Sequence, residues 1–370
     1  MASPLTVLFA PDSFKGSLTS FEVGRALAAG WARARSADEL LLSPLADGGE
    51  GTLTAIEAAG GWIVQTATVH DPLRREISAR WLRSADGRMA VVEMAEASGL
   101  SRVAPGDRDA VAATSLGTGE LIRIAALGGV SRVVVGIGGS ATTDGGRGLL
   151  AGLTGGDADD PDLEAIRDVA RSLDVEVACD VSNPLLGANG AAATYGPQKG
   201  ASPGQVAELE GQLADWAGDL GRRTGREERE TPGAGAAGGV GYALLAIQDA
   251  FRSFQLRPGV ELVMESTGFS DKLARADLAV TGEGQIDAQT AFGKTALGVA
   301  RRAADAGVPC IAIGGGVTPE GIAALAPLGT VVVPVIERPQ SIEAAMAAGP
   351  APVERCGERI ARLVSILAGR

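Results

Sequence analysis

Seven short apolar runs constrain this chain more than any other feature. They are Thr6–Ala10, Leu40–Leu45, Arg132–Ile137, Val175–Cys179, Leu278–Thr281, Cys310–Ile313 and Thr330–Val335. A continuous apolar run is what a parallel strand buried on both faces looks like. Most of the runs are separated by stretches with helix signals. Thr19-x-x-Glu22 is a capping box opening a helix through Ala34, and Thr318-Pro319-Glu320 is an N-cap with Pro in the first turn. The alternation predicts an α/β fold in which a doubly wound, three-layer domain carries a mostly parallel seven-stranded sheet.

Residues 61–111 break that rhythm. Trp62–His70, Glu76–Arg83 and Met89–Glu93 alternate or are rich in β-formers, with turns at Asp71-Pro72-Leu73 and Ala85-Asp86-Gly87. This predicts an antiparallel meander, the centre of a smaller inserted α+β domain with a mixed sheet. Residues 191–265 are helical and Gly-rich, and the stretch Pro232–Gly241 reads as a mobile or tightly packed loop. The expected division is 1–60, 112–190 and 266–370 in a discontinuous Rossmann-like domain, with 61–111 and parts of 191–265 in the smaller one. A cleft and a hinge between the two follow from that arrangement.

Composition enters by exclusion. A net charge of −12 repels nucleic acid and anionic membranes, so an anionic substrate needs a local cationic pocket. Lys15, Lys199 and Lys294 are placed to supply one. The single histidine, His70, ends a strand before Asp71-Pro72, which favours a turn role and leaves no chymotrypsin-like triad or multi-histidine metal site. Cys179, Cys310 and Cys356 are odd in number and widely spaced, which points to a reducing cytoplasm, with Cys179 and Cys310, inside apolar runs, expected as buried thiols. No run approaches the 18 or so apolar residues of a membrane span, and the N-terminal apolar run is too short for a signal peptide.

Five Gly/Asp/Ser/Thr-rich segments carry the chemistry, four of them directly after an apolar run. They start at Pro11, Ala46, Gly138, Asp180 and Thr281. Loops at the carboxyl ends of parallel strands build the ligand site of an open α/β sheet. Gly138, Gly139, Ser140, Thr142, Asp144, Gly145 and Gly146 precede a helix-like stretch and can offer backbone N–H groups to phosphates, with Lys199 nearby. Gly136, Gly138 and Ala141 also fit a weak dinucleotide fingerprint, but the next strand-end acid, Asp180, lies about 40 residues on where about 20 is expected. No Walker-A pattern is present.

Lys15 and Lys294 can neutralise a carboxylate or a moving phosphoryl group. Asp180 and Glu283 are candidates for Mg²⁺, which bound to a nucleotide takes one or two carboxylates. Asp287 is the candidate base for a substrate hydroxyl. Asp12, Ser13, Asp47, Asn183 and Gln285 are candidate substrate contacts, with Asp47 equally suited to turn work.

These segments resemble the glycerate kinase family of the bacterial glycerate 2-kinase type. The matching strings are PDSFKGSLTS (11–20), ADGGEGT (46–52), GIGGSATTDGG (136–146), NPLLGANGAAATYGPQKGAS (183–202) and TGEGQIDAQTAFGKT (281–295), in order along essentially the whole chain. The resemblance implies ATP- and Mg²⁺-dependent phosphorylation of D-glycerate at the 2-hydroxyl, in a monomer or homodimer. It also implies a sheet of order 2-1-3-4-5-6-7, whose switch between the first and third strands puts the crevice between Lys15 and the Ser140–Gly146 loop. Three positions depart from the family pattern: Thr143 for Asn, Gln285 for a frequent Arg, and Phe292 for a smaller or polar residue. Losing a planar cation at 285 removes a bidentate grip on a carboxylate. A kinase of another small hydroxy acid, 3-hydroxyl regiochemistry and a non-catalytic sensor remain as alternatives.

Overall fold

The structure, a computed structural model, describes residues 3–292 and 294–368. The chain divides into two units. One holds the residues up to Asp47, Thr54–Gly60 and those from Val260 on; the other holds Gly48–Leu53 and Gly61–Gly259.

The first unit is built on five parallel strands: β1 (Thr6–Pro11), β2 (Glu39–Leu42), β9 (Leu278–Ile286), β10 (Cys310–Val317) and β11 (Val331–Pro334). Their order is β11-β10-β9-β1-β2. β1 and the start of β9, Leu278–Val280, lie inside the sheet and are buried, as their apolar sequence predicts; β9 then continues through the polar positions Thr281–Gln285. The chain runs from β1 outward to β2, then returns on the other side of β1 through β9, β10 and β11. The order therefore reverses between β1 and β9, and the carboxyl ends of these two strands face a crevice where an open α/β sheet binds ligands.

The helices Ser20–Ala34 and Ala351–Ala368 pack side by side over this sheet. Val23, Leu27 and Trp31 meet Val353, Cys356 and Ile360 in one apolar cluster with Phe9 and Val280. Thr19 caps the first helix as the sequence predicts, with Glu22 completing the box. The two backbones approach closely at Gly30. A Cβ there would stand 1.8 Å from the Glu354 carbonyl oxygen, a rigid atom within a helix. Gly30→Ala is therefore expected to cost about 2 kcal/mol of stability, the usual scale of overpacking, despite alanine's better helix propensity. A urea midpoint equal to or above that of the parent protein would show that the helices move apart freely.

The second unit carries six strands: β3 (Trp62–His70), β4 (Glu76–Ser84), β5 (Met89–Glu93), β6 (Arg132–Gly136), β7 (Asp174–Ala178) and β8 (Ser253–Arg257), in strict sequence order. β3, β4 and β5 form the expected antiparallel meander. β5 to β8 run parallel. Helices such as Leu116–Leu127, Arg147–Thr154 and Pro203–Thr224 cover the sheet around Val133, Val135, Val175, Leu149 and Trp216.

The α/β class, with one parallel sheet and a second mixed sheet, agrees with the sequence. The strand count does not. The runs at 132 and 175 join the meander instead of the first sheet, so among the described residues the parallel sheet has five strands, not seven, and its order is not 2-1-3-4-5-6-7. Residues 112–190 accordingly fall in the second unit. An apolar run shows that a strand is buried but not which neighbour it pairs with; here β5, closed off on one side by β4, offers its other edge to β6. The Gly-rich stretch Pro232–Gly241 is closely packed, with Gly233–Ala236 and Gly238–Val240 buried.

Glu93 ends β5 in a buried setting and accepts N–H groups from Gly51 and Leu53 at 3.0 and 2.8 Å. Burial pushes its carboxyl up to about 7. An unfolded glutamate ionises near 4.5, so between these values unfolding releases a proton. The penalty is absent below pH 4.5 and fully present above pH 7, a total of about 3 kcal/mol. Glu93→Gln should therefore lose less stability than the parent protein between pH 5 and pH 8 in urea titrations. Parallel losses in the two proteins would contradict this assignment.

Candidate active site

A cavity of about 530 Å³ opens at the carboxyl ends of β1 and β9, within the first unit. The polar lining of its charged end comes from Asp12, Ser13 and Lys15 after β1, Asp47 after β2, Glu283 and Gln285 on β9, and Lys294. The chain thus brings together seven of the residues predicted from sequence. The positions Thr281–Ile286, expected in a loop, continue strand β9. Glu283 is buried, and Gln285, two positions on and on the same face of the strand, is exposed.

Asp12 is anchored from two sides. Its Oδ1 accepts the Ser13 N–H at 2.6 Å and its Oδ2 the Thr295 hydroxyl at 2.6 Å. Burial and the neighbouring Asp47 carboxylate push its carboxyl up to about 6. Glu283 is buried and accepts the Thr290 hydroxyl. Burial takes its carboxyl up to about 7, although Thr290 and Lys294 pull the other way. The Lys15 ammonium donates to Asp47 Oδ2 at 3.3 Å, and Asp47 raises its pKa above the ordinary lysine value. Lys15 is otherwise exposed, so it can turn toward a ligand without disturbing the core. Lys294 is the N-cap of the helix Thr295–Asp305, makes no cap hydrogen bond with its side chain, and donates to Gln289 Oε1 at 3.0 Å.

Asp287 is not among the lining residues. Its Oδ1 accepts the Gln289 N–H at 2.8 Å and so closes the short turn Ala288–Phe292, while its charge contributes to the raised Glu283 pKa. Gly293 and the Phe292 side chain, singled out in the sequence, lie outside the described residues. Sequence reasoning missed Thr290 and Thr295, which orient the two buried carboxyls. It also missed an aliphatic strip between Val335 and Val353, whose side chains belong to no motif.

The remaining candidates lie in the second unit. Asp144 is engaged by its own unit. Its carboxylate accepts N–H groups of Ser115, Gly146 and Gly148 at 2.8, 3.0 and 3.1 Å. The negative charge that the N-terminus of the helix Arg147–Thr154 attracts is therefore supplied by the chain itself. The Gly145 N–H goes to the Gly238 carbonyl at 2.9 Å, and the Gly138 N–H to Gly48 at 3.4 Å. Much of the expected phosphate cradle at Gly138, Gly145 and Gly146 is thus occupied internally. The sequence-ordered sheet also has no switch point beside this loop. Gly139 accepts the Leu100 N–H through its carbonyl at 2.8 Å.

Lys199 is buried, and its ammonium donates to Ser140 Oγ at 3.0 Å and to the Thr142 carbonyl at 2.5 Å. Burial pushes it down to about 7. Thr143 Oγ1 is buried without a hydrogen-bond partner among the described residues. Asn183 spans Asn189 and Tyr195, and Asp180 Oδ1 accepts the Gly259 N–H at 2.9 Å. His70 pairs with Glu120 at 2.8 Å, away from the cavity lining. No cluster of three or more metal-ligating side chains, and no helix long and apolar enough to cross a membrane, occurs among the described residues.

Comparison with known proteins gives concordant matches. The family model described as the glycerate kinase family matches residues 7–365. The glycerate kinase of Halalkalibacterium halodurans is 39% identical over 96% of this chain and 97% of its own. The glycerate 2-kinase of Escherichia coli K12 is 38% identical over 85% of this chain and 86% of its own. A crystal structure described as glycerate kinase 2 from Salmonella typhimurium LT2 superposes with a TM-score of 0.85 at 37% identity, covering 100% of both chains.

Proposed function

Because the chain belongs to the glycerate kinase family, we propose that it transfers the γ-phosphoryl group of ATP to the 2-hydroxyl of D-glycerate, giving 2-phosphoglycerate and ADP. ATP is the phosphate donor the family implies. The observation that carries the reading is the constellation at the β1/β9 switch point, where Asp12, Asp47 and Glu283 share one cavity with Lys15 and Lys294. Phosphoryl transfer asks mainly for positioning and for charge that offsets the oxygens of a loose transition state. It also asks for an acceptor of the hydroxyl proton.

In this reading Glu283 takes the proton of the 2-hydroxyl. The hydroxyl oxygen forms a bond to the γ-phosphorus, and the bond to the β,γ-bridging oxygen breaks, leaving ADP. A base is most effective with a pKa near the working pH, which burial gives Glu283. The geometry favours it over Asp287, the base expected from sequence, because it lines the cavity. Lys15 and Lys294 offset the substrate carboxylate and the transferring group. Gln285 presents a neutral amide where the family often has Arg, which weakens the hold on a carboxylate. Because that departure changes the substrate contact, a kinase of another small hydroxy acid is the second reading.

Magnesium carried by the nucleotide neutralises phosphate charge when bound. Asp12 and Asp47 fit it: both carboxylates line the cavity, and the Asp47 charge that adds to burial in raising the Asp12 pKa would be offset by a divalent cation. Asp180 and Glu283, the pair expected from sequence, fall in different units. Ser140, Thr142, Lys199 and Asn183 support the backbone of the second unit in this reading. Three free thiols fit a reducing cytoplasm as the working compartment.

The test is ADP release with D-glycerate and MgATP, with phosphorus NMR of the product. Formation of 2-phosphoglycerate is expected. 3-Phosphoglycerate would move the attack to the other hydroxyl, turnover only on a different hydroxy acid would favour the second reading, and binding without turnover on any acid would favour a sensor.

A further inference from the structure

The cavity is larger than its charged end requires. A three-carbon acid fills a small part of about 530 Å³, a volume typical of sites for much larger ligands. Away from the carboxylates and lysines the wall is mostly aliphatic, with Val335, Ile336, Ile342, Met346, Pro352 and Val353 beside Gln340 and Ser341. Neither glycerate nor a triphosphate has an apolar group to place there. Yet Ile342 is 76% exposed, Met346 38% and Ile336 37%. Large aliphatic side chains left open beside a binding cavity gain by being covered.

We propose that this strip receives the purine base of ATP. The inference rests on ATP being the donor. Of all the groups in the two substrates, only the base is a flat, largely apolar body with a hydrogen-bonding edge. Branched aliphatics and a polarisable methionine sulfur suit its faces. Gln340 lines the same strip and makes no hydrogen bond among the described residues, so its amide has a donor and an acceptor to offer the base edge. The strip also touches the lysine loop. The Ser17 hydroxyl donates to the Met346 carbonyl at 3.2 Å, and Met346 Cε lies 2.8 Å from where a Cβ on Gly16 would stand. The base end and the phosphate-countering Lys15 are thus neighbours along one wall, as a single nucleotide spanning them requires.

The test compares the parent protein with Ile342→Ser/Met346→Ser. Both side chains are exposed, so an unchanged melting temperature serves as the folding control. Adenosine affinity by calorimetry and KM for ATP are expected to weaken about tenfold or more, as loss of an apolar pocket surface does. KM for glycerate and kcat should hold within about twofold, because the reacting groups are untouched. The milder Ile342→Val/Met346→Leu should restore affinity, and Gln340→Ala should narrow the preference for ATP over GTP.

Unchanged ATP and adenosine parameters would overturn the assignment. So would a rise confined to the glycerate KM, or a concentration-dependent dimer that the double substitution abolishes, since a second copy would then cover the strip. The two readings fail separately. Glycerate turnover that ignores the strip defeats this inference alone, whereas adenosine binding that needs the strip, without glycerate turnover, defeats only the proposed reaction.

Discussion

Glu283→Gln is expected to lower kcat by roughly 10²–10⁴-fold, the contribution of a well-placed general base, with the fold intact. Glutamine keeps the volume and still accepts the Thr290 hydroxyl, so the buried site is not emptied. What it removes is the proton acceptor. Because burial sets the Glu283 carboxyl at about 7, it is protonated and inert as a base below that pH and ionised above it. The rate of the parent enzyme should therefore rise with pH through about 7, and the Gln variant should lose that limb. Asp287→Asn should cost under tenfold, because the Asp287 carboxylate closes a turn and an amide oxygen can still accept the Gln289 N–H. The reverse pattern, a small loss at 283 and a large one at 287, would hand the role to Asp287.

Lys15→Met is expected to reduce kcat/KM by about 10²–10³-fold, the scale for removing one preorganised group that meets developing charge. The side chain is 73% exposed, so the melting temperature should barely move. The substitution has a second signature. Lys15 lowers the Asp12 pKa, working against burial and Asp47. Without the ammonium, Asp12 should hold its proton to a higher pH than about 6, and any limb it contributes to the pH–rate profile should shift upward. A variant that loses activity with an unshifted profile would reduce Lys15 to a binding contact. One that loses neither would remove it from the site.

The helix caps, the meander and the positions of Asp12, Lys15 and Asp47 after strands were legible because each depends on a few neighbouring residues, whereas Glu283, expected in a loop, lies within β9. A capping box is read within four positions and an alternating strand within nine. The pairing of β6 with β5, and hence the split into two sheets, was not legible, since an apolar run looks the same beside any partner. The expected phosphate cradle shows the same limit. The glycines and Asp144 are visible in the string 136–146, but that Asp144 itself takes the N–H groups of Gly146 and Gly148 depends on how the loop closes.

Taken alone, the sequence determined the α/β class, the helix caps and the set of acidic, lysine and glycine loops from which a kinase site is drawn. These are local matters of propensity, capping and periodicity. The tertiary structure decided which loops meet. It placed the return of the chain at β9, so the crevice lies between β1 and β9 and gathers Asp12, Lys15, Asp47, Glu283 and Lys294. It also set the charge states, because the raised pKa values of Asp12 and Glu283 come from burial and from carboxylates brought close by folding.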